Sequence, residues 1–158
     1  MSPRANVRRP SGGSFLVGTD IIEVDRVADS IKRFGKHYIA RVYTSDEAIY
    51  CTTTGADAAR HFAGRFAAKE AAIKVLRPGP SDALNWRSIE VVRNVEGWCE
   101  LLLHGSAQTL AHRAGLRSFA VSLSHEERYA TAVVVAQQRV RGMRNARVDG
   151  ARPPGAAQ

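Results

Sequence analysis

The stretch HFAGRFAAKEAAIKVL, residues 61–76, carries the strongest structural signal in this chain. At 100° per residue, its apolar side chains share one stripe and predict an amphipathic helix over residues 56–76: Phe62, Phe66, Ile73 and Leu76. Lys69 projects into the middle of that stripe, and Glu70 lies on its edge. A buried ammonium group is costly unless an anion meets it. Lys69 therefore indicates either a charged partner or a side chain that reaches water along the edge of the stripe.

Three segments upstream of this helix have signals of their own. The β-branched run at residues 14–22 predicts a strand whose end carries Asp20. Apolar residues at helical spacing predict a helix over residues 23–34, which the following glycine ends. Thr44 and Glu47 have the spacing of a capping box and predict a short helix that begins just after Thr44.

Beyond the helix breaker Arg77-Pro78-Gly79-Pro80, the apolar period changes to that of strands. The predicted elements here are a hairpin from SIEVVRN and WCELLLH, a short helix over residues 105–114, and two strands, SFAVSLS and YATAVVVA. The order β-α-α-α-β-β-α-β-β has little βαβ alternation. It predicts an α+β fold in which a small antiparallel sheet packs on the long helix.

Composition and charge predict one folded domain with two basic tails. The chain has 158 residues, of which 44% are hydrophobic and 24% charged, enough apolar surface for one core. Of the net charge of +8, residues 1–13 carry +3 and residues 137–158 carry +4, so residues 14–136 are close to neutral. Both tails are rich in Arg, Gly and Pro and poor in large apolar residues, so we expect them to be flexible.

Cysteine usage and hydropathy bear on location. Cys51 and Cys99 have no CxxC spacing, and no secretory leader precedes them, which favours a reducing cytoplasm over a disulfide scaffold or a zinc site. No apolar run approaches the length of a membrane span. The Arg-rich start resembles a transit peptide in composition, but its prolines and glycines disfavour the amphipathic helix that such a peptide forms.

Asp20 and Glu70 are the first candidates for chemistry. They lie on different predicted elements, and two carboxylates with retained waters and substrate phosphates suit Mg²⁺. The alternative is structural: Asp20 would cap the helix that follows it, and Glu70 would pair with Lys74 at i,i+4.

A second polar group occurs in SLSHEERYA, residues 122–130. Ser122, Ser124 and His125 fall at a predicted strand end, where their side chains could bind phosphate oxygens or simply form a polar turn. Neither a GxSxG elbow nor a phosphate-binding GxxxxGK[ST] or GxGxxG loop occurs. The sequence therefore excludes the ordinary serine hydrolase and nucleotide-cradle patterns.

Three blocks in the same order resemble the holo-acyl-carrier-protein synthase group of 4′-phosphopantetheinyl transferases: VGTDIIEVDRV (17–27), FAGRFAAKEAAIK (62–74) and VSLSHEERYATAVVV (121–135). The resemblance covers residues 15–136. It implies the 4′-phosphopantetheinyl transferase fold and a homotrimer with a coenzyme A site at each subunit boundary. The implied reaction is Mg²⁺-dependent transfer of the phosphopantetheine arm from coenzyme A to a serine of an acyl carrier protein, with 3′,5′-ADP leaving.

The resemblance also implies roles for particular residues. Asp20 and Glu70 would hold Mg²⁺ and, with Lys74, form the catalytic group. The implied coenzyme-binding residues are Lys69, Arg65, Ser124 and His125, and the implied carrier-protein contacts are Arg26, Arg33 and Lys36. Glu70 itself or a water on the metal would take the serine proton. Lys69 and Glu70 would then be tolerated on an apolar face because that face also forms the wall of a ligand cleft.

Two departures and two alternatives accompany this resemblance. The family's Gly-Thr-Gly turn after the long helix is replaced by Arg77-Pro78-Gly79-Pro80, and its Gly-Lys-Pro hairpin end by Glu96-Gly97-Trp98-Cys99. A basic nucleic-acid-binding protein acting through its tails is one alternative, although no recognised reading motif occurs in the central region. A catalytically silent relative of the family is the other.

Overall fold

A three-stranded antiparallel sheet lies against one long, alanine-rich helix. The computed structural model describes residues 14–139. The sheet has the order β1-β5-β4, with β1 at Ser14–Glu23, β4 at Leu116–His125 and β5 at Tyr129–Gln138. The helix, α4, spans Ala58–Leu76. Five of its alanines are completely buried and let it approach the strands closely: Ala63, Ala67, Ala68, Ala71 and Ala72.

Three shorter helices connect β1 to α4. They are α1 at Val24–Phe34, α2 at Lys36–Val42 and α3 at Ser45–Thr53. Gly35 separates α1 from α2 with φ of 56°, a left-handed conformation that suits glycine. The capping box at the start of α3 forms as predicted, with Thr44 accepting from the Glu47 amide and Glu47 accepting from the Thr44 amide.

A hairpin and a short helix lie between α4 and β4. The hairpin strands are β2 at Ile89–Arg93 and β3 at Cys99–Leu103, and they form a separate two-stranded sheet. A single 3₁₀ turn at Trp86–Ser88 precedes β2, and α5 at Gly105–Arg113 follows β3.

The apolar core has two parts, one on the first half of α4 and one on its second half. The larger part joins α4 to the sheet, the hairpin and α5, and the smaller part joins α1, α2 and α3 to the start of α4. The sheet is covered on one face only. On the other face, large apolar side chains of β1 are more than half exposed: Phe15, Val17 and Ile21.

Most predicted elements are confirmed, and three details are corrected. The α+β class, the long helix and the antiparallel sheet packed on it are all present. However, α2 was not predicted, because its seven residues are too few for a periodic pattern. The predicted domain end at residue 136 is too early, since Gln137 and Gln138 pair with β1. The helix predicted from residue 56 begins at Ala58, after a 3₁₀ turn at Gly55–Asp57. The N-terminal tail and the C-terminal tail from residue 140 lie outside the described residues.

Within residues 14–139, the helices are all too short or too polar to span a lipid bilayer.

Candidate active site

Asp20 and Glu70 line the same cavity, which has a volume of about 440 Å³. Asp20 comes from β1 and Glu70 from the middle of α4, so the packing of strand on helix brings them together. That packing is close because Gly18 has no Cβ: one added there would lie 2.1 Å from the Ala71 carbonyl oxygen. The remaining lining residues are Ile21, Ile22, Arg26, Val27, Ser30, Tyr38 and Phe66.

The charges in this carboxylate cavity are closely coupled. Partial burial raises the pKa of Glu70, the Asp20 charge raises it further, and Lys74 opposes both effects. Lys74 Nζ reaches across from α4 and donates to Asp20 Oδ1 at 2.8 Å and to the Thr19 carbonyl at 2.6 Å. The structural alternative for both acids is therefore wrong: Glu23 is the N-cap residue of α1, and the partner of Lys74 is Asp20.

The carboxylate cavity fits a hard divalent cation. Two carboxylates from different elements point into it, and a cation between them would favour the charged form of Glu70 that burial and Asp20 disfavour. In residues 14–139, His, Cys, Asp and Glu form no cluster of three or more that could hold a metal. Water and substrate oxygens would therefore complete the coordination, as is usual for Mg²⁺.

Ser124 and His125 lie in a second cavity, of about 360 Å³, which shares none of its described lining residues with the carboxylate cavity. Its walls come from the end of β4, the start of α4, the end of the hairpin and Tyr50 of α3. The lining residues include Ser122, Ser124 and His125 of β4, His61 and Arg65 of α4, and Arg93, Gly97, Trp98 and Cys99 of the hairpin. None of the described residues that line it is acidic. Hydroxyl, imidazole and guanidinium groups together favour a phosphate-bearing ligand, so we call this the basic cavity.

Arg65 is the charged centre of the basic cavity. The residue is only 2% exposed, and its guanidinium carbon lies 4.1 Å from the centroid of the Tyr50 ring. Its Nε has no hydrogen-bond partner within the described part of the chain. Arg65 therefore places a buried positive charge with an incompletely satisfied guanidinium at the wall of this cavity, which favours an anion nearby.

Two imidazoles meet beside Arg65. The rings of His61 and His125 are in edge contact, with centroids 4.9 Å apart. Burial lowers the pKa of both, and the neighbouring positive charges lower it further. At neutral pH these rings are therefore mainly uncharged until an anion enters the cavity and favours their protonation.

Lys69 is where the structure corrects the sequence interpretation. Its side chain is completely buried and forms an ion pair with Glu47, with Nζ and Oε2 2.8 Å apart. A side chain without exposed surface cannot touch coenzyme A, so the coenzyme-binding role predicted for Lys69 is wrong. For the same reason, Lys69 neither forms part of a cleft wall nor follows the stripe edge to water, whereas Glu70 does line a cavity.

The predicted carrier-protein contacts are all exposed. Arg26 lies on α1 and also lines the carboxylate cavity, whereas Arg33 is at the far end of α1 and Lys36 begins α2. Arg26 and Arg33 therefore lie about two turns apart on one side of α1, and Lys36 follows at the start of α2.

Sequence reasoning missed several residues of both cavities. No motif points to His61, Tyr50 or Arg93, because only folding brings them to the end of β4. The altered hairpin end proves relevant, since Gly97, Trp98 and Cys99 line the basic cavity. Cys51, by contrast, is a buried packing residue, and burial raises the pKa of its thiol to about 12.

Comparison with known proteins agrees with this fold. The model of the 4′-phosphopantetheinyl transferase superfamily matches residues 16–134, so the chain belongs to that superfamily. The holo-[acyl-carrier-protein] synthase of Koribacter versatilis is 43% identical over 118 residues, which cover 75% of this chain and 94% of the relative. The resemblance to the holo-acyl-carrier-protein synthase group is therefore confirmed, and with it the class of enzyme.

Solved structures of the same group share the architecture. The Chronobacterium ammoniagenes ACPS-CoA complex matches with a TM-score of 0.71 at 30% identity, covering 80% of this chain and 99% of that one. The Helicobacter pylori holo-[acyl-carrier-protein] synthase in complex with coenzyme A matches with a TM-score of 0.66 at 27% identity, covering 77% and 99%. Both of these relatives were solved with coenzyme A.

Proposed function

We propose that this protein transfers the 4′-phosphopantetheine group from coenzyme A to a serine of an apo-acyl carrier protein, releasing 3′,5′-ADP in a Mg²⁺-dependent reaction. The observation that carries the proposal is the pairing of Asp20 and Glu70 in one cavity. The names of the relatives and the coenzyme in their solved structures support the same donor and acceptor.

The carboxylate cavity is the proposed reaction centre. Asp20 and Glu70 would hold Mg²⁺, which supplies positive charge beside the pyrophosphate when bound. Lys74 holds the Asp20 carboxylate in place and adds a second positive charge at the same edge of the cavity. Cleavage of a pyrophosphate spreads negative charge over its oxygens, so alignment and fixed positive charge are what these residues provide.

The basic cavity is the proposed site for a phosphate-bearing part of coenzyme A. Arg65, Ser124 and His125 supply a guanidinium, a hydroxyl and an imidazole there, and His61 lies against His125. Coenzyme A is an anion, and among the described lining residues the charged groups of this cavity are all basic.

A homotrimer is the assembly that we propose. None of the described residues lines both cavities, so the two halves of a coenzyme site need not come from one subunit. The open face of the sheet carries exposed Phe15, Val17 and Ile21 on β1 beside Val133 on β5, which is the apolar surface that a subunit interface buries. Neighbouring subunits would then combine the carboxylate cavity of one with the basic cavity of the next.

The carrier protein is proposed to dock along α1. Arg26, Arg33 and Lys36 are exposed, and carrier proteins are acidic, so opposite charges would steer the encounter. Arg26 also lines the carboxylate cavity, so a carrier docked on it would bring its serine near the proposed reaction centre. A cytoplasmic location, the compartment in which we expect such carriers, stays a prediction from cysteine usage.

A mass-spectrometric assay tests the reaction directly. The full chain is incubated with coenzyme A, Mg²⁺ and a panel of apo-acyl carrier proteins, and the carrier mass is measured. We expect at least one carrier to gain the mass of one phosphopantetheinyl group, and a carrier with its acceptor serine changed to alanine to gain nothing. No mass gain on any carrier would contradict the proposal and favour a catalytically silent relative.

A further inference from the structure

The buried ion pair between Glu47 and Lys69 joins parts of the chain that are far apart in sequence. Lys69 lies in α4 beside Glu70, and Glu47 lies in the first turn of α3. Neither side chain has exposed surface. The pair is thus shielded from solvent on all sides, although it is adjacent along the chain to a proposed metal ligand.

Every strong polar group of the pair has a partner. The Lys69 ammonium donates to Glu47, to the Trp86 carbonyl at 3.2 Å and to the Ile89 carbonyl. The Glu47 carboxylate also accepts from the Val91 amide at 3.0 Å and from the Thr44 amide at 2.8 Å. Four segments therefore meet here: the start of α3, the middle of α4, the 3₁₀ turn before β2, and β2 itself.

Stability alone does not account for such a pair. Burial lowers the pKa of Lys69, and Glu47 opposes that shift, so attraction mainly offsets a desolvation penalty. A pair of apolar residues of similar volume often gives equal or greater stability. What apolar residues cannot do is fix the direction of three acceptors around one ammonium group.

A series of contacts connects Lys69 to the carboxylate cavity. The carbonyl that Lys69 holds belongs to Trp86, whose ring stacks on Phe66 with centroids 5.3 Å apart and planes 20° apart. Phe66 lines the carboxylate cavity and lies one helical turn before Glu70. A continuous series of contacts thus connects the ion pair, through Trp86 and Phe66, to a wall of that cavity.

We propose that Glu47 and Lys69 are positioning residues, which hold α4 and the Trp86–Phe66 stack so that Glu70 faces Asp20. The expected changes in kcat and KM rest on the proposed function. The expected change in the surroundings of Trp86 rests on the geometry alone. Neither residue touches substrate or metal in this account, and both act through Phe66 and Glu70.

Three variants separate positioning from stability. Glu47→Gln leaves a buried ammonium without its carboxylate, so both stability and alignment should suffer. The double variant Glu47→Leu/Lys69→Met removes both charges and all five contacts of the pair, and it should be more stable than Glu47→Gln because no unpaired charge stays buried. Leu110→Ala, in α5 and away from both cavities, is the control that lowers stability by loss of core packing alone.

The readouts are Tm, the kcat and KM of transfer, and the fluorescence of Trp86. The chain has two tryptophans, so a Trp98→Phe background makes Trp86 the single reporter, while kinetics use the native background. We expect Glu47→Gln to lower kcat at least about tenfold with a smaller change in the KM for carrier protein. The emission of Trp86 should shift to longer wavelength.

The double variant decides between the two roles. We expect its Tm to exceed that of Glu47→Gln while kcat stays low and the Trp86 emission stays shifted. Leu110→Ala should lower Tm and leave kcat and emission as they were. Recovery of kcat together with Tm in the double variant would overturn the proposal, as would unchanged kcat in Glu47→Gln.

Two further controls cover variants that fail to fold and an inactive starting protein. If the double variant does not fold, the kcat of Glu47→Gln is compared with that of Leu110→Ala, each measured at the same number of degrees below its own Tm. Equal kcat values would overturn the proposal. If Glu47→Gln does not fold either, Glu47→Asp takes its place, with unchanged kcat and emission as the contrary result. Should the unchanged chain show no transfer, the proposed function fails, and the Trp86 emission of the same variants still tests the positioning.

Discussion

At the scale of single residues, Glu70 combines a proposed function with a cost in stability. Its carboxylate is partly buried and close to Asp20, and both effects raise its pKa. A carboxylate whose pKa is raised by folding destabilises the native state once it is ionised. This penalty is absent below the pKa of the unfolded chain and complete above the pKa of the folded protein, so at neutral pH Glu70 opposes folding in the absence of metal.

We therefore predict that Glu70→Gln raises Tm by about 2 °C at pH 7 without metal, because a neutral amide does not repel Asp20. The gain should disappear as the pH falls through the pKa of Glu70, since the native carboxyl is then neutral as well. Thermal unfolding of both proteins across a pH series measures the difference. A lower Tm for the variant at pH 7 would show that Glu70 is not repelled in the native state.

At the scale of elements, the approach of β1 to α4 sets the distance between the two carboxylates. Gly18 lies two residues before Asp20, and a Cβ there would collide with the Ala71 backbone. Gly64, on α4, is different, because a Cβ there would meet the movable end of the Leu123 side chain at 3.3 Å. Substitution by alanine is therefore expected to be costly at Gly18 and nearly neutral at Gly64.

Gly18→Ala should destabilise the protein by about 3 kcal/mol, because strand and helix must separate, and should also lower the transfer rate by moving Asp20 away from Glu70. Gly64→Ala should be close to neutral, because the higher helix propensity of alanine offsets a small shift of Leu123. Chemical denaturation and the transfer rate measure both variants. Equal effects of the two substitutions would contradict the role given to the β1–α4 contact.

The elements also show what sequence could and could not provide. Period and capping predicted the strands, the long helix and the start of α3, because these depend on residues within one or two turns of each other. The partner of Lys69 could not be identified from local sequence patterns, because Glu47 lies 22 positions upstream and only tertiary packing brings it near. The same holds for His61 and Arg93, which become part of one cavity only when α4 and the hairpin meet β4.

At the scale of the whole molecule, the uncovered sheet face and the two separate cavities both favour a trimer. Val17 lies in the centre of the exposed apolar face, where it pairs with Val135 of β5. Ile49, on α3, is equally exposed, at 61% against 59% for Val17, but lies outside that face. These two residues provide a matched pair for testing the interface.

We predict that Val17→Glu converts the trimer to a monomer and abolishes transfer, because a buried unpaired carboxylate at the interface is costly. Ile49→Glu should remain a trimer with its activity intact. Size-exclusion chromatography with light scattering gives the mass of each. A monomeric starting protein, or a trimer that survives Val17→Glu, would rule out assembly through this face.

The central claim is that Asp20 and Glu70 hold one divalent ion beside the reacting pyrophosphate. The most direct test is the initial rate of phosphopantetheinyl transfer, followed by mass spectrometry in Mg²⁺, for Asp20→Asn, Glu70→Gln and the double variant. If both carboxylates serve a single ion, each single change should lower the rate at least about 100-fold, and the double variant should be little worse than either. A single variant that keeps the starting rate, or losses that multiply in the double variant, would contradict the account.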